Sequence, residues 1–141
     1  MKKFLLLILI CFAQITFSQT TKEVGKPNVD EVSDINNENL VYNTQGVDEK
    51  PEFPGGVAVF NSFLDKNFIK PADKPKMRGK IYFTFIIEKD GSLRDIKILR
   101  DLGYGTGDEA LRVIKLAPKW NPGKHKNKEV RTLNAGLITV S

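Results

Sequence analysis

The alternation in Gly79–Glu88 constrains this chain more than any other feature. Ile81, Phe83, Phe85 and Ile87 take every second position, with Lys80, Tyr82, Thr84, Ile86 and Glu88 between them. A period of two places one set on each face of a strand, and the aromatic and β-branched content suits a half-buried strand. Lys89-Asp90-Gly91-Ser92 follows. An Asp-Gly pair between two such runs predicts a hairpin, with both central residues at positive φ. Leu93–Arg100 is the return strand, with Ile96 and Ile98 on one face and Asp95, Lys97 and Leu99 on the other. An antiparallel sheet with one apolar face must be covered, so the helices have to be found elsewhere in the chain.

Two segments qualify. Pro51-Glu52-Phe53-Pro54-Gly55-Gly56 is a turn, because its prolines fix φ and its glycines relax it. The helix predicted after it runs over Val57–Asn67, with Val59, Phe60, Phe63 and Leu64 as its apolar stripe. Pro71 and Pro75 forbid its continuation through the basic loop of residues 70–78. The second helix is expected over 107–116. Thr106 and Glu109 read as a capping box, and Ala110, Leu111, Ile114 and Ala117 face inward. Pro118 ends it. Trp120, between Pro118 and Pro122, is expected to plug one end of the core, the other reading being a surface aromatic for a peptide. Residues 123–128 read as a basic turn and 130–140 as the last strand. There Leu133, Ala135, Leu137 and Thr139 share one face, and Thr132, Asn134, Gly136 and Ile138 share the other. The expected core comprises Phe60, Phe63, Leu64, Ile81, Phe83, Phe85, Ile96, Ile98, Leu111, Ile114 and Trp120.

With 141 residues there is room for one domain. Residues 1–18 read as a secretory signal peptide: Lys2-Lys3, an apolar run from Phe4 to Ala13, and small residues at Thr16 and Ser18. The run is short of the ~20 residues of a membrane span, and an uncleaved inner-membrane anchor is the alternative. Residues 19–47 read as a flexible polar arm, with a short extended piece at 39–42, and 48–141 as the folded domain. Cys11, the sole cysteine, falls in the leader, so the mature chain needs no disulfide in the periplasm.

Charge is segregated. Residues 19–73 carry 5 basic and 10 acidic side chains, whereas residues 74–141 carry 15 basic and 7 acidic. The basic half suits solvated strands and turns or an acidic partner segment, and it contains no nucleic-acid-binding motif. Catalytic patterns are missing. His125 is the one histidine, among turn lysines, and is expected to be solvated. It cannot build a Ser-His-Asp set. Gly103, Gly105 and Gly107 lack the spacing of a phosphate loop. The acidic pairs Asp30-Glu31 and Asp48-Glu49 lie at the arm, away from any metal-ligand cluster. The reading is therefore of a binding protein, with no cofactor, metal or catalytic residue assigned. A small periplasmic hydrolase or transferase would need a convergent polar pocket that the sequence does not show.

The order of motifs resembles the TonB C-terminal domain family, in its Bacteroidetes-type form. The resemblance rests on Pro51-Glu52-Phe53-Pro54-Gly55-Gly56, Glu88-Lys89-Asp90-Gly91-Ser92, Asp108-Glu109-Ala110-Leu111-Arg112, Pro118-Lys119-Trp120-Asn121-Pro122-Gly123-Lys124 and Val130-Arg131. It spans residues 48–141. It implies an α+β fold: a three-stranded antiparallel sheet with two helices packed on one face. It also implies that the final strand pairs with an extended segment of an outer-membrane transporter by β-strand addition, in support of energy-dependent transport. By position, that edge is Arg131, Thr132, Leu133, Asn134, Ala135, Gly136 and Leu137, flanked by the basic loop of Lys124, Lys126 and Lys128. Gly136, Thr132 and Asn134 are small enough to let another backbone approach. Two features depart from the family's energy transducers. The arm holds only Pro27 before Pro51, and 32 residues from Gln19 to Lys50 span at most about 110 Å. The loop at Lys74-Pro75-Lys76-Met77 also lacks the usual Tyr-Pro pattern. A free periplasmic interaction module without a motor, binding another periplasmic protein, is the alternative reading. Edge pairing into a homodimer is left open.

Overall fold

The computed structural model describes residues 38–141, so the signal peptide, Cys11 and the arm up to residue 37 lie outside the described residues. The elements in chain order are β1 (Val41–Asn43), α1 (Val57–Asn67), β2 (Gly79–Ile87), β3 (Leu93–Arg100), α2 (Thr106–Lys115), β4 (Gly123–His125) and β5 (Lys128–Val140). The sheet order is β1-β5-β2-β3, with β4 also paired to β5. The class is α+β. The expected antiparallel trio is present as β3-β2-β5, and two short strands widen the sheet to five and make it mixed, because β1 runs parallel to β5.

Both helices cover one face of this sheet. Phe60 and Leu64 of α1, and Ala110, Val113 and Ile114 of α2, pack with Ile81, Phe83, Phe85, Ile87, Ile138 and Val140 in one buried cluster. The spacing 106, 107, 110, 113, 114 is the buried stripe of α2. Leu111 is therefore turned aside and half-buried, and Val113 fills the place expected of it. Phe63, Ile96 and Ile98 pack against the cluster without being fully enclosed, and Val59 is exposed.

The β2–β3 hairpin forms where Asp-Gly placed it, with a different turn. Gly91 N–H donates to the Glu88 carbonyl at 2.9 Å, and Gly91 alone in that turn has positive φ. This is a four-residue turn closed by a left-handed glycine, one of the longer hairpin loops. The Asp90 carboxylate accepts from the Ser92 hydroxyl (2.6 Å) and backbone N–H (2.9 Å), and these bonds hold its pKa below the usual value. The two-residue turn with both centres at positive φ occurs instead between β4 and β5, at Lys126 (φ 49) and Asn127 (φ 62). The segment read as a plain basic turn is thus itself a hairpin.

The capping box at α2 does not form. Gly105 occupies the N-cap position with no side-chain cap. Thr106 Oγ1 instead donates to the Gly103 carbonyl and accepts from Leu102 N–H, fastening the loop before the helix. Glu109 is thereby free to tie the two helices together. It accepts from Ile69 N–H at 2.9 Å and from Arg112, whose Nη2 also donates to the Asn67 carbonyl at the end of α1. The hydrogen bond from Arg112 foremost, with the Ile69 N–H, holds the Glu109 carboxyl below the usual range. A depressed carboxyl contributes stability above its unfolded pKa, and that contribution disappears as pH falls toward the folded value. Glu109→Gln is expected to lower the melting temperature modestly at neutral pH. The gap from wild type should narrow as pH drops through the carboxylate range, and a gap constant with pH in thermal melts would contradict this role.

Candidate functional site

Strand β5 is the candidate site, and its alternation decides what each side chain can do. Val130, Thr132, Ile138 and Val140 are buried, Asn134 and Gly136 are half-buried, and Leu133 (45% exposed) and Leu137 (40% exposed) face solvent. The small and polar set faces the helices, and the leucine set lines the outer face. The reason lies across the strand pair. Phe83 is the register partner of Gly136, and a Cβ on Gly136 would fall 2.6 Å from the Phe83 ring. The glycine makes room for a core phenyl ring.

On one side β5 is paired with β2 along residues 132–140. Its other side is divided. Val41, Tyr42 and Asn43 of β1 lie in parallel register with Arg131, Thr132 and Leu133. Among the described residues, Asn134, Ala135, Gly136 and Leu137 pair with β2 alone. Of the seven-residue edge inferred from sequence, the first three residues are therefore covered and, among the described residues, the last four are open. Asn43 turns the chain away there: its carbonyl accepts from Gly46 N–H at 3.0 Å and its Oδ1 from Gln45 N–H at 2.6 Å.

A trough follows the open stretch. One part, about 430 Å³, lies among Phe53, Val57, Phe60, Trp120 and Asn134–Leu137. A second, about 590 Å³, shares Asn61 and 135–137 with it and continues past Asp65 and Thr139. Trp120 forms the floor of the first part. It is 6% exposed and stacks edge-on against Phe53, Phe60 and Phe85, so it plugs the core and also lines the trough. Its buried Nε1 has no hydrogen-bond acceptor among the described residues.

Arg131 heads the covered part of the edge. Its Nε and Nη2 donate to the two carboxylate oxygens of Glu88, each at 2.9 Å, and Nη1 donates to the Asn39 carbonyl at 3.1 Å. The two-pronged bond to Glu88 raises the guanidinium pKa and fixes its plane. Of the flanking lysines, Lys124 is ion-paired to Glu49 at 3.3 Å, Lys126 N–H donates to Asp48, and the Lys128 side chain is exposed. Residues 48–52 thus line the outer side of β4, with bridges Glu49–Lys124 and Glu52–Asn121. His125 is not solvated as expected: its side chain is 29% exposed, its ring lies 5.2 Å from that of Tyr42, and Nδ1 is 3.6 Å from Asp48 Oδ2. Sequence reasoning expected a short extended piece at 39–42 and a turn from Pro51 but not their pairing with β5 and β4, because single apolar residues in a polar stretch carry no period.

Among the described residues, no cluster of three or more His, Cys, Asp or Glu is placed to hold a metal ion, and no helix is long and apolar enough to cross a membrane. The chain folds as a small α+β domain with a partly open strand edge. The sequence profile of the Gram-negative bacterial TonB protein C-terminal family matches residues 66–135, and the chain belongs to that family through this domain. TonB C-terminal domains are non-enzymatic periplasmic interaction domains that engage outer-membrane TonB-dependent transporters. Two solution NMR structures of the Helicobacter pylori TonB C-terminal domain are similar to this chain at 22% identity. The one of residues 194–285 has a TM-score of 0.47 and covers 60% of this chain and 90% of that one. The one of residues 179–285 has a TM-score of 0.45 and covers 62% and 85%. Comparison with curated proteins finds no match.

Proposed function

We propose that this protein binds an extended segment of an outer-membrane TonB-dependent transporter by β-strand addition to β5, in the periplasm, after export by the leader at residues 1–18. The observation that carries this reading is the side of Asn134–Leu137 that, among the described residues, pairs with nothing, beside an apolar-floored trough. An incoming strand gains backbone hydrogen bonds there. Its alternate side chains fall toward the trough on one face and beside Leu133 and Leu137 on the other. Arg131, Thr132 and Leu133 extend the same edge, and Lys124, Lys126 and Lys128 sit at its start.

The test uses proline, which removes a strand donor. Alternate residues of an antiparallel strand direct their N–H groups to opposite neighbours. Of Asn134→Pro and Ala135→Pro, one therefore breaks a bond to β2 and the other alters only the outer edge. The variant that keeps the wild-type melting temperature is expected to lose transporter recovery in a pull-down from outer-membrane extract. Recovery equal to wild type by that folded variant would remove this edge from the binding site.

A further inference from the structure

We infer that β1 is an internal competitor for the partner's seat: Asn39–Asn43 occupies the start of the β5 edge, and a partner must displace it to use the whole of Arg131–Leu137. The inference rests on the strand-addition reading of β5 and adds its regulation.

Three observations support it. The first is position. The chain's own strand already pairs with Arg131–Leu133, the first three residues of the same edge that is open from Asn134. It also lies outside the stretch shared with the family, which begins at residue 66 and includes Arg131–Ala135. The second is how lightly β1 is held. It has three residues and no buried side chain: Val41 and Tyr42 are half-buried, Tyr42 with its ring against His125, and Asn43 is exposed. Strands this short, with little apolar cover, open at small cost in free energy. β2, by contrast, has four fully enclosed side chains, Ile81, Phe83, Phe85 and Ile87. The third is Arg131. Glu88 holds it two-pronged, and its spare Nη1 meets a backbone carbonyl of the strand on the edge, here that of Asn39. This donor is preset for a backbone oxygen, which any extended segment in that seat supplies. The turn at Asn43–Gly46 then leaves Asn134–Leu137 bare. A partner can gain a foothold on the bare stretch and replace β1 residue by residue.

The probe is a labelled synthetic peptide with the sequence of residues 38–44, added in trans to the full chain. Wild type is expected to take it up weakly. Val41→Pro, which disrupts the internal strand, should tighten uptake about tenfold or more, the factor by which a seat nine-tenths filled from within weakens apparent affinity. Amide exchange at residues 131–133 should accelerate in that variant without peptide and slow again with it. A second variant works in the opposite direction and does not depend on disrupting β1. Asn43→Cys with Leu133→Cys, register partners, in a Cys11→Ser background, locks the strand when oxidised. Uptake should vanish and return on reduction. Unchanged uptake by folded Val41→Pro, or full uptake by the oxidised lock, would overturn the inference. The transporter pull-down separates this from the reading beneath it. Equal recovery by wild type, Val41→Pro and the oxidised lock sinks the competitor and leaves strand addition at Asn134–Leu137 standing. Enhanced peptide uptake without transporter recovery keeps the competitor and sinks the transporter as partner.

Discussion

Trp120→Ala is expected to cost about 3–5 kcal/mol, the range for truncating a large buried aromatic. The indole is 6% exposed and is the common neighbour of three phenyl rings, with centroids 5.5 Å away at Phe53, 4.9 Å at Phe60 and 5.4 Å at Phe85. Those rings come from the segment before α1, from α1 and from β2. Removing the indole therefore leaves a void where three separate pieces of chain meet, and no one of them can close it alone. Trp120→Phe should lose less, because it keeps part of the volume and also deletes a buried N–H that lacks an acceptor among the described residues. Urea unfolding followed by circular dichroism measures both. A loss under about 1 kcal/mol for the alanine variant would mean that the ring does not anchor this junction.

Legibility followed the range of the interactions. α1 was readable to its ends, Val57 and Asn67, because Pro54-Gly55-Gly56 and Pro71 bracket a helical stripe, and a bracket is a local signal. β2 and β3 were readable from alternation and Asp90-Gly91. The faces of β5 were harder. Alternation separated Leu133, Ala135 and Leu137 from Thr132, Asn134 and Gly136, but the core takes the less apolar set, since Phe83 of β2 already fills the space over Gly136. A small residue inside and a leucine outside is a consequence of the neighbouring strand, which no window on β5 contains. Glu109 gives the same lesson at α2. The Thr106-x-x-Glu109 spacing fits a capping box, yet the carboxylate meets Ile69 N–H from a loop 40 residues away. β1 was the least legible part. The arm expected over 19–47 includes Val41–Asn43, whose partners are Arg131–Leu133, and a three-residue parallel pairing across that distance leaves no periodic trace. The edge itself was legible only through the family resemblance, and what covers its first three residues was not.

Gly91→Ala is the other substitution with a large expected cost, about 2–4 kcal/mol from two sources that act together. Gly91 has φ +83, a conformation that a side chain strains, and its carbonyl accepts the Trp120 N–H at 2.9 Å. A Cβ there would clash with the Trp120 carbonyl oxygen, and that oxygen belongs to backbone between Pro118 and Pro122, which cannot swing aside as a side chain would. The β2–β3 turn is thus docked on the Trp120 segment, backbone to backbone. Forcing the two apart should loosen the indole from Phe53, Phe60 and Phe85 at the same time. Because the two sites share this contact, their effects should not add: the double variant Gly91→Ala/Trp120→Ala is expected to lose measurably less than the two single losses combined. Strict additivity in a urea-denaturation cycle would mean that the turn and the indole stabilise the fold independently. If the coupling is found, the floor of the trough beside Asn134–Leu137 is held in place by a hairpin turn at the far end of β2, through the backbone of Trp120.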